Sequence, residues 1–168
     1  MSSPRNDREQ WPAVLAQSST PQAALEAIVQ HFNADTGTLH SMGGDGQLHL
    51  IAIVGKFPPP VMDAIRTIPV GKGMAGLAAE RRGPVTVCNL QTDTSGDVRP
   101  GARATGMEGA ITIPCFSDNQ GGAIVGVLGV ATIAPRTYAP SETVALLECG
   151  RAIARILGQA ASQGTSVD

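Results

Sequence analysis

The segment Ala123–Ile133, AIVGVLGVATI, is almost wholly apolar. With its Val and Ile content and its flanking turn residues, it reads as a strand buried on both faces. Such a strand needs a hydrogen-bonded neighbour on each edge and a covering layer on each face. It therefore commits the chain to a layered fold around a sheet. Ile111–Phe116 reads as one neighbour, joined to it by the polar connection Ser117–Gly122.

The remaining segments supply further strands and the covering helices. Thr38–Met42 and Gln47–Val54 flank Gly43-Gly44-Asp45-Gly46, a strong hairpin signal. In the second of these strands Leu48, Leu50, Ala52 and Val54 line one face, and Ile51 and Ile53 the other. Thr20-Pro21 joins a capping residue to a proline at the first helical position. Leu25, Ile28, Val29 and Phe32 then form one stripe, which predicts a helix over 21–33. Pro58-Pro59-Pro60 leads into a short helix, Val61–Arg66. Gly71-Lys72-Gly73 turns the chain into helix Met74–Arg81, and Gly83-Pro84 stops it before strand Val85–Cys88. The last helix is predicted over 141–157, with Ser141 as N-cap and Glu142 near the positive helix end. Residues 1–17 read as a polar arm with a tendency to disorder, 18–158 as one domain, and 159–168 as a polar tail.

Composition narrows the functional classes. The chain has 168 residues, 42% of them apolar and 15% charged, which is the balance of a folded globule. Its net charge of −2 provides no basic field for nucleic acid or anionic membranes. One Trp, one Tyr and three Phe leave little from which to build a base-stacking surface. No run reaches the ~18 consecutive apolar residues of a membrane span, and the N-terminus lacks the apolar core of a secretory signal. Three widely spaced cysteines form neither a disulfide framework nor a zinc motif, so a reducing cytoplasm is the simplest setting.

Particular residues carry a resemblance. Gly73-Met74-Ala75-Gly76 opens the middle helix, Gly126-Val127-Leu128 lies in the central strand, and Arg136-Thr137-Tyr138 precedes Pro140-Ser141-Glu142. With Leu146-Leu147 in the final helix, their order and spacing resemble the GAF family over roughly 18–158. The resemblance implies an α/β fold of the α+β type with a central antiparallel sheet of five or six strands. The terminal helices would cover one face, and helices and a long loop would roof a ligand pocket on the other. It also implies a sensory or regulatory module that pairs as a homodimer through helices 21–33 and 141–157. No second domain is recognisable, so a signal would leave by association with a partner.

Within that family the chain is similar in layout to the free methionine-R-sulfoxide reductases, which share the Gly-Lys-Gly turn. Their first cysteine falls where this chain has Met74-Ala75-Gly76, and their loop cysteine falls in Arg99–Met107, which holds none. Their two acidic residues fall on Gly129 and Ala131. A displaced redox pair of Cys88 and Cys115, at strand ends near the pocket, keeps a divergent thiol-dependent reductase as the alternative. A pocketless scaffold for protein association is the third reading.

The candidate ligand-binding residues come from the aperiodic segment 89–108 and the strands beneath it. Long structureless segments inside compact domains are often functional. This one holds Asn89, Asp93, Asp97, Arg99, Arg103, Met107 and Glu108, with Thr112 and Thr132 supplying hydroxyls from the strands. Arg99 or Arg103 could clamp an oxyanion bidentately. If the turn 43–46 closes symmetrically, His40 faces His49, but no third ligand is evident and no metal is expected. Gly71–Gly73 lacks the phosphate-loop pattern, since Met74 stands where Ser or Thr would hold magnesium. No cofactor is expected, and the ligand is a small molecule of unassigned identity.

Overall fold

The structure, a computed structural model, describes residue 15 and residues 18–95, 105–118 and 122–164, with side chains through 158. Six strands form one antiparallel sheet: β1 (Thr36–Met42), β2 (Gln47–Val54), β3 (Thr67–Pro69), β4 (Val85–Val87), β5 (Gly109–Ser117) and β6 (Ala123–Thr132). Their order is β3-β2-β1-β6-β5-β4, so β6 is paired on both edges. Helices α1 (Pro21–His31) and α4 (Pro140–Gly164) cover one face and touch each other. The other face carries α2 (Pro59–Ile65) and α3 (Gly73–Arg81). This is the expected α+β arrangement, and β3 is a strand that the sequence pattern does not announce.

Local chemistry explains the helix ends. Thr20 caps α1, its hydroxyl accepting from the Ala23 N–H at 3.2 Å. The helix stops at His31 because Asn33 takes a left-handed conformation, φ 53°, and Ala34 N–H bonds back to the Val29 carbonyl. At α4 the first helical bond runs from Thr143 N–H to the Ala139 carbonyl, which makes Ala139 the cap and places Pro140 in the first turn. Ser141 is therefore not the N-cap. Glu142 instead reaches back to the Ala139 N–H at 3.1 Å, half of a capping box.

The hairpin register also differs from the symmetric expectation. Gly43 N–H bonds the Gln47 carbonyl, and Met42 pairs with Leu48, Ser41 with His49, and His40 with Leu50. A bulge then leaves Ile51 without a partner, and pairing resumes with Leu39 opposite Ala52. An extra residue reverses which face the following side chains occupy. Leu48 thus packs beneath α3, whereas Ala52 and Val54 join the core beneath α1 and α4. The single apolar face expected for Leu48 through Val54 is split in two by that bulge.

The two faces are packed differently. Leu25, Ile28, Leu39, Ile111, Ile113, Leu128, Leu146 and Ile153 are all fully buried in the terminal-helix cluster. At about 1.5–3 kcal/mol for each such side chain, this face supplies most of the hydrophobic stabilisation. Leu15 belongs to the same cluster and is fully buried, so the segment assigned to the polar arm contributes a core residue. The α3 face has smaller clusters, built around Leu48, Val127 and Val85 and around Val87, Leu90 and Ala110. Among the described residues no helix is long and apolar enough to cross a membrane.

Helix α3 lies against its own entry turn at Gly76, where a Cβ would stand 2.5 Å from the Pro69 carbonyl oxygen and 3.1 Å from Gly71 N. Both obstacles are backbone, so neither can swing aside. Gly76→Ala is expected to destabilise the fold by about 1–3 kcal/mol, read as a lower urea midpoint with unchanged slope. A midpoint equal to wild type would show that α3 is free to shift.

Candidate functional site

A cavity of about 120 Å³ lies on the α3 face, over the middle of β1, β6 and β5. Its floor follows from register. Thr38 of β1 and Thr112 of β5 stand on either side of Gly129 of β6. One step along, Thr36 and Ala110 flank Ala131. At these two positions β6 presents only a glycine between two threonines and an alanine between a threonine and an alanine, and the missing side-chain volume is the cavity. A Cβ at Gly129 would meet the Thr38 hydroxyl oxygen at 3.0 Å and the Thr112 methyl at 3.5 Å. Phe57, Met74, Leu90 and Met107 complete much of the wall.

The polar groups of the site are hydroxyls. Thr112 Oγ1 donates to the Met74 carbonyl at 3.0 Å, tying the first turn of α3 to the floor. Thr36 and Thr38 also line the cavity, and neither hydroxyl has a hydrogen-bond partner among the described residues. No ionisable side chain is among the described residues that line it.

Of the residues predicted for the site, Met107 and Thr112 line the cavity. Asn89 and Asp93 accept from the backbone of their own loop: Asn89 Oδ1 from Gln91 N–H at 2.9 Å, and Asp93 Oδ2 from Ser95 N–H at 3.2 Å, with the Ser95 hydroxyl also donating to it at 2.6 Å. Glu108 holds the loop base through its main chain, its N–H bonding the Thr132 carbonyl and its carbonyl accepting from Leu90 N–H. The Thr132 hydroxyl donates to the Ala134 carbonyl at 2.7 Å, closing the turn after β6, and Thr132 is not among the lining residues. Asp97, Arg99 and Arg103 lie outside the described residues. Thr36, Thr38, Leu90 and Gly129 were missed, although alternation along β1 from Leu39 would have placed both threonines on one face.

Cys88 and Cys115 do not form a pair. Cys88 is exposed just beyond β4, level with the Gly109 end of β5. Cys115 lies toward the opposite end of β5, about 20 Å away by the rise per residue, and far beyond disulfide reach. It faces the terminal helices rather than the cavity. Burial, and secondarily the neighbouring Cys149, push its thiol up to about 12, so it carries no thiolate at neutral pH. Iodoacetamide should therefore add one group to the native protein, at Cys88, and three after unfolding, the full cysteine count. Intact-mass measurement reads this directly, and rapid native labelling of Cys115 would contradict the packing.

The histidines stand on opposite faces of the sheet and share no site. His49 is exposed and its Nε2 is 3.0 Å from Asp45. His40 is buried under α2, with Nε2–H donating to the Ile65 carbonyl at 2.8 Å and Nδ1 left without a partner. Burial holds its pKa below the ordinary 6.5, against the opposing effect of the Ile65 carbonyl. Below that value the unfolded chain takes up the proton more readily, so His40 lowers stability as pH falls. The lowered carboxyls of Asp45 and Glu142 act only under 3.8 and 4.5 respectively, outside this window. The urea midpoint should fall between pH 7.5 and 5.5, and fall less in His40→Gln. Equal pH dependence in both proteins would remove His40 as the cause.

Arg136 joins the loop to the terminal helices. Its N–H bonds the Cys88 carbonyl at 3.1 Å, where the long loop begins. Its guanidinium donates to the Phe32 carbonyl at the end of α1 (2.6 Å) and to Glu142 in the first turn of α4 (2.7 Å), and it stacks on Tyr138. The Ala139 N–H and then Arg136 keep the Glu142 carboxyl below its usual pKa.

A six-stranded antiparallel sheet with paired terminal helices on one face and a small cavity beneath a helix on the other defines an α+β domain built around one sheet. The family model described as the GAF domain matches residues 18–158, and the chain belongs to the GAF domain family. The structure is similar to the GAF domain of the Acinetobacter phosphoenolpyruvate-protein phosphotransferase, with 15% identity, all of both chains covered and a TM-score of 0.75. The corresponding domain from Coxiella burnetii gives 19% identity, 95% coverage of each chain and a TM-score of 0.75. The free methionine-R-sulfoxide reductase of Neisseria meningitidis, in complex with its substrate, gives 20% identity, coverage of 96% of this chain and 91% of that one, and a TM-score of 0.72. At these identities the likeness shows the fold. No curated protein sequence matches the chain.

Proposed function

We propose that this GAF domain is a ligand-binding regulatory module that holds a small molecule in the cavity over Gly129. The observation that carries the reading is the cavity itself: register places Gly129 between two threonines, and Ala131 between Thr36 and Ala110, at the centre of the sheet face. A Neisseria protein of the same fold is described in complex with its substrate, which supports the fold as a holder of small molecules. Regulation requires the ligand to bind one conformation better than another. Arg136 offers the route, since it bonds the first residue of the loop and the ends of both terminal helices. Output would then pass through the outer surfaces of α1 and α4 to a second copy or a partner protein. These helices lie side by side, and Val144 of α4 is 56% exposed.

The cysteines favour binding over thiol chemistry. Cys88 is exposed, while Cys115 and Cys149 are enclosed in the core beneath the terminal helices. Native mass spectrometry of freshly purified protein is expected to show a dimer carrying a non-covalent small-molecule adduct. A monomer at the bare polypeptide mass would overturn both parts of the reading.

A further inference from the structure

The walls of the cavity say what kind of molecule it can take. We propose that it selects an uncharged, monocyclic, largely apolar ligand with one hydrogen-bonding group directed at Thr36 and Thr38; this rests on the ligand-binding reading above.

Three observations lead there. The first is size. A cavity of about 120 Å³, close to the ~150 Å³ of apolar cavities that accept benzene and open on one side, seats one small ring whose substituent can extend toward the opening. The second is charge. No lining residue among those described is ionisable, and beside the threonines the walls are Met, Leu, Phe and Ala side chains. An ion moved into such surroundings without a partner loses several kcal/mol of hydration that nothing returns. Among the described residues the floor thus offers a carboxylate, phosphate or ammonium no counter-charge. The third is the hydroxyls. Thr112 spends its proton on the Met74 carbonyl, whereas those of Thr36 and Thr38, on the same floor, have no partner among the described residues. A phenolic or similar O–H can donate to one of them and accept from the other, which a plain hydrocarbon cannot do.

Gly129 is the specificity-determining position in this arrangement. It sits between Thr38 and Thr112, and only the absence of a side chain there keeps the floor open. Any branched residue would project into the space the ring is to occupy.

The test is a titration of the full chain followed by amide NMR shifts, with phenol, benzene and benzoate as probes. Phenol should bind saturably, with shifts centred on Thr38, Thr112 and Gly129; benzene should bind about tenfold more weakly, and benzoate not at all. Thr38→Val should bring phenol toward the affinity of benzene while leaving benzene unchanged. Gly129→Val should abolish binding of both, and if that variant fails to fold, Gly129→Ala should weaken both. Benzoate binding at these residues as tightly as phenol would overturn the inference and leave the ligand-binding reading standing. Failure of all three probes to shift the cavity residues would overturn the inference even if native mass spectrometry shows a retained adduct. Absence of that adduct is the separate failure of the underlying reading.

Discussion

Strand β6 is paired on both edges and covered on both faces, and the rest of the molecule is arranged to satisfy it. Its main-chain groups are taken up by β1 and β5. Its side chains alternate between two environments. Leu128 and Val130 enter the terminal-helix core, and Val127, Gly129 and Ala131 face α3. A strand in this position cannot tolerate an unpaired polar group on either side. That is why its apolar character is nearly continuous, and why the variation it carries is in volume rather than polarity.

That variation separates stability from function. On the face covered by α1 and α4 the large residues interlock, and Leu15 adds to the same core. On the face covered by α3, small residues at the sheet centre leave space that no described neighbour fills. A cavity forfeits dispersion contacts and costs stability in proportion to its volume. It persists here because the opposite face holds most of the buried apolar surface. Arg136 then bridges the two: its main chain meets the loop beside the cavity, and its guanidinium meets the ends of the helices beyond the sheet. The start of the loop beside the cavity and the ends of the two terminal helices are thus joined by one residue that is charged, forked and largely enclosed.

Much of the fold was legible because its signals are local. The central strand, the Thr20-Pro21 helix start, the Gly43–Gly46 turn and the Gly-Lys-Gly entry to α3 are each set by residues adjacent in the chain. The site was less so. The charged loop residues drew attention by composition, yet Asn89 and Asp93 are committed to their own turns and Glu108 acts through its main chain. Cys115 stood in a strand next to presumed pocket residues, but its parity in β5 turns it to the helix face with Ile111 and Ile113. The bulge at Ile51 could not be seen in advance, because an alternating apolar pattern looks the same with or without it until a partner strand is present.

From its sequence alone the chain determined five of the six strands, the Thr20 cap and the main turns, and through their order the GAF architecture over 18–158. These depend on periodicity and backbone preference, which are properties of neighbouring residues. Only the tertiary structure decided that Thr38, Gly129 and Thr112 lie in one row, that His40 and His49 part to opposite faces, and that Arg136 spans loop and helices. Those relations depend on strand register and on the meeting of segments far apart in the chain. Register is fixed by which face must be buried, and burial exists only once the layers have packed.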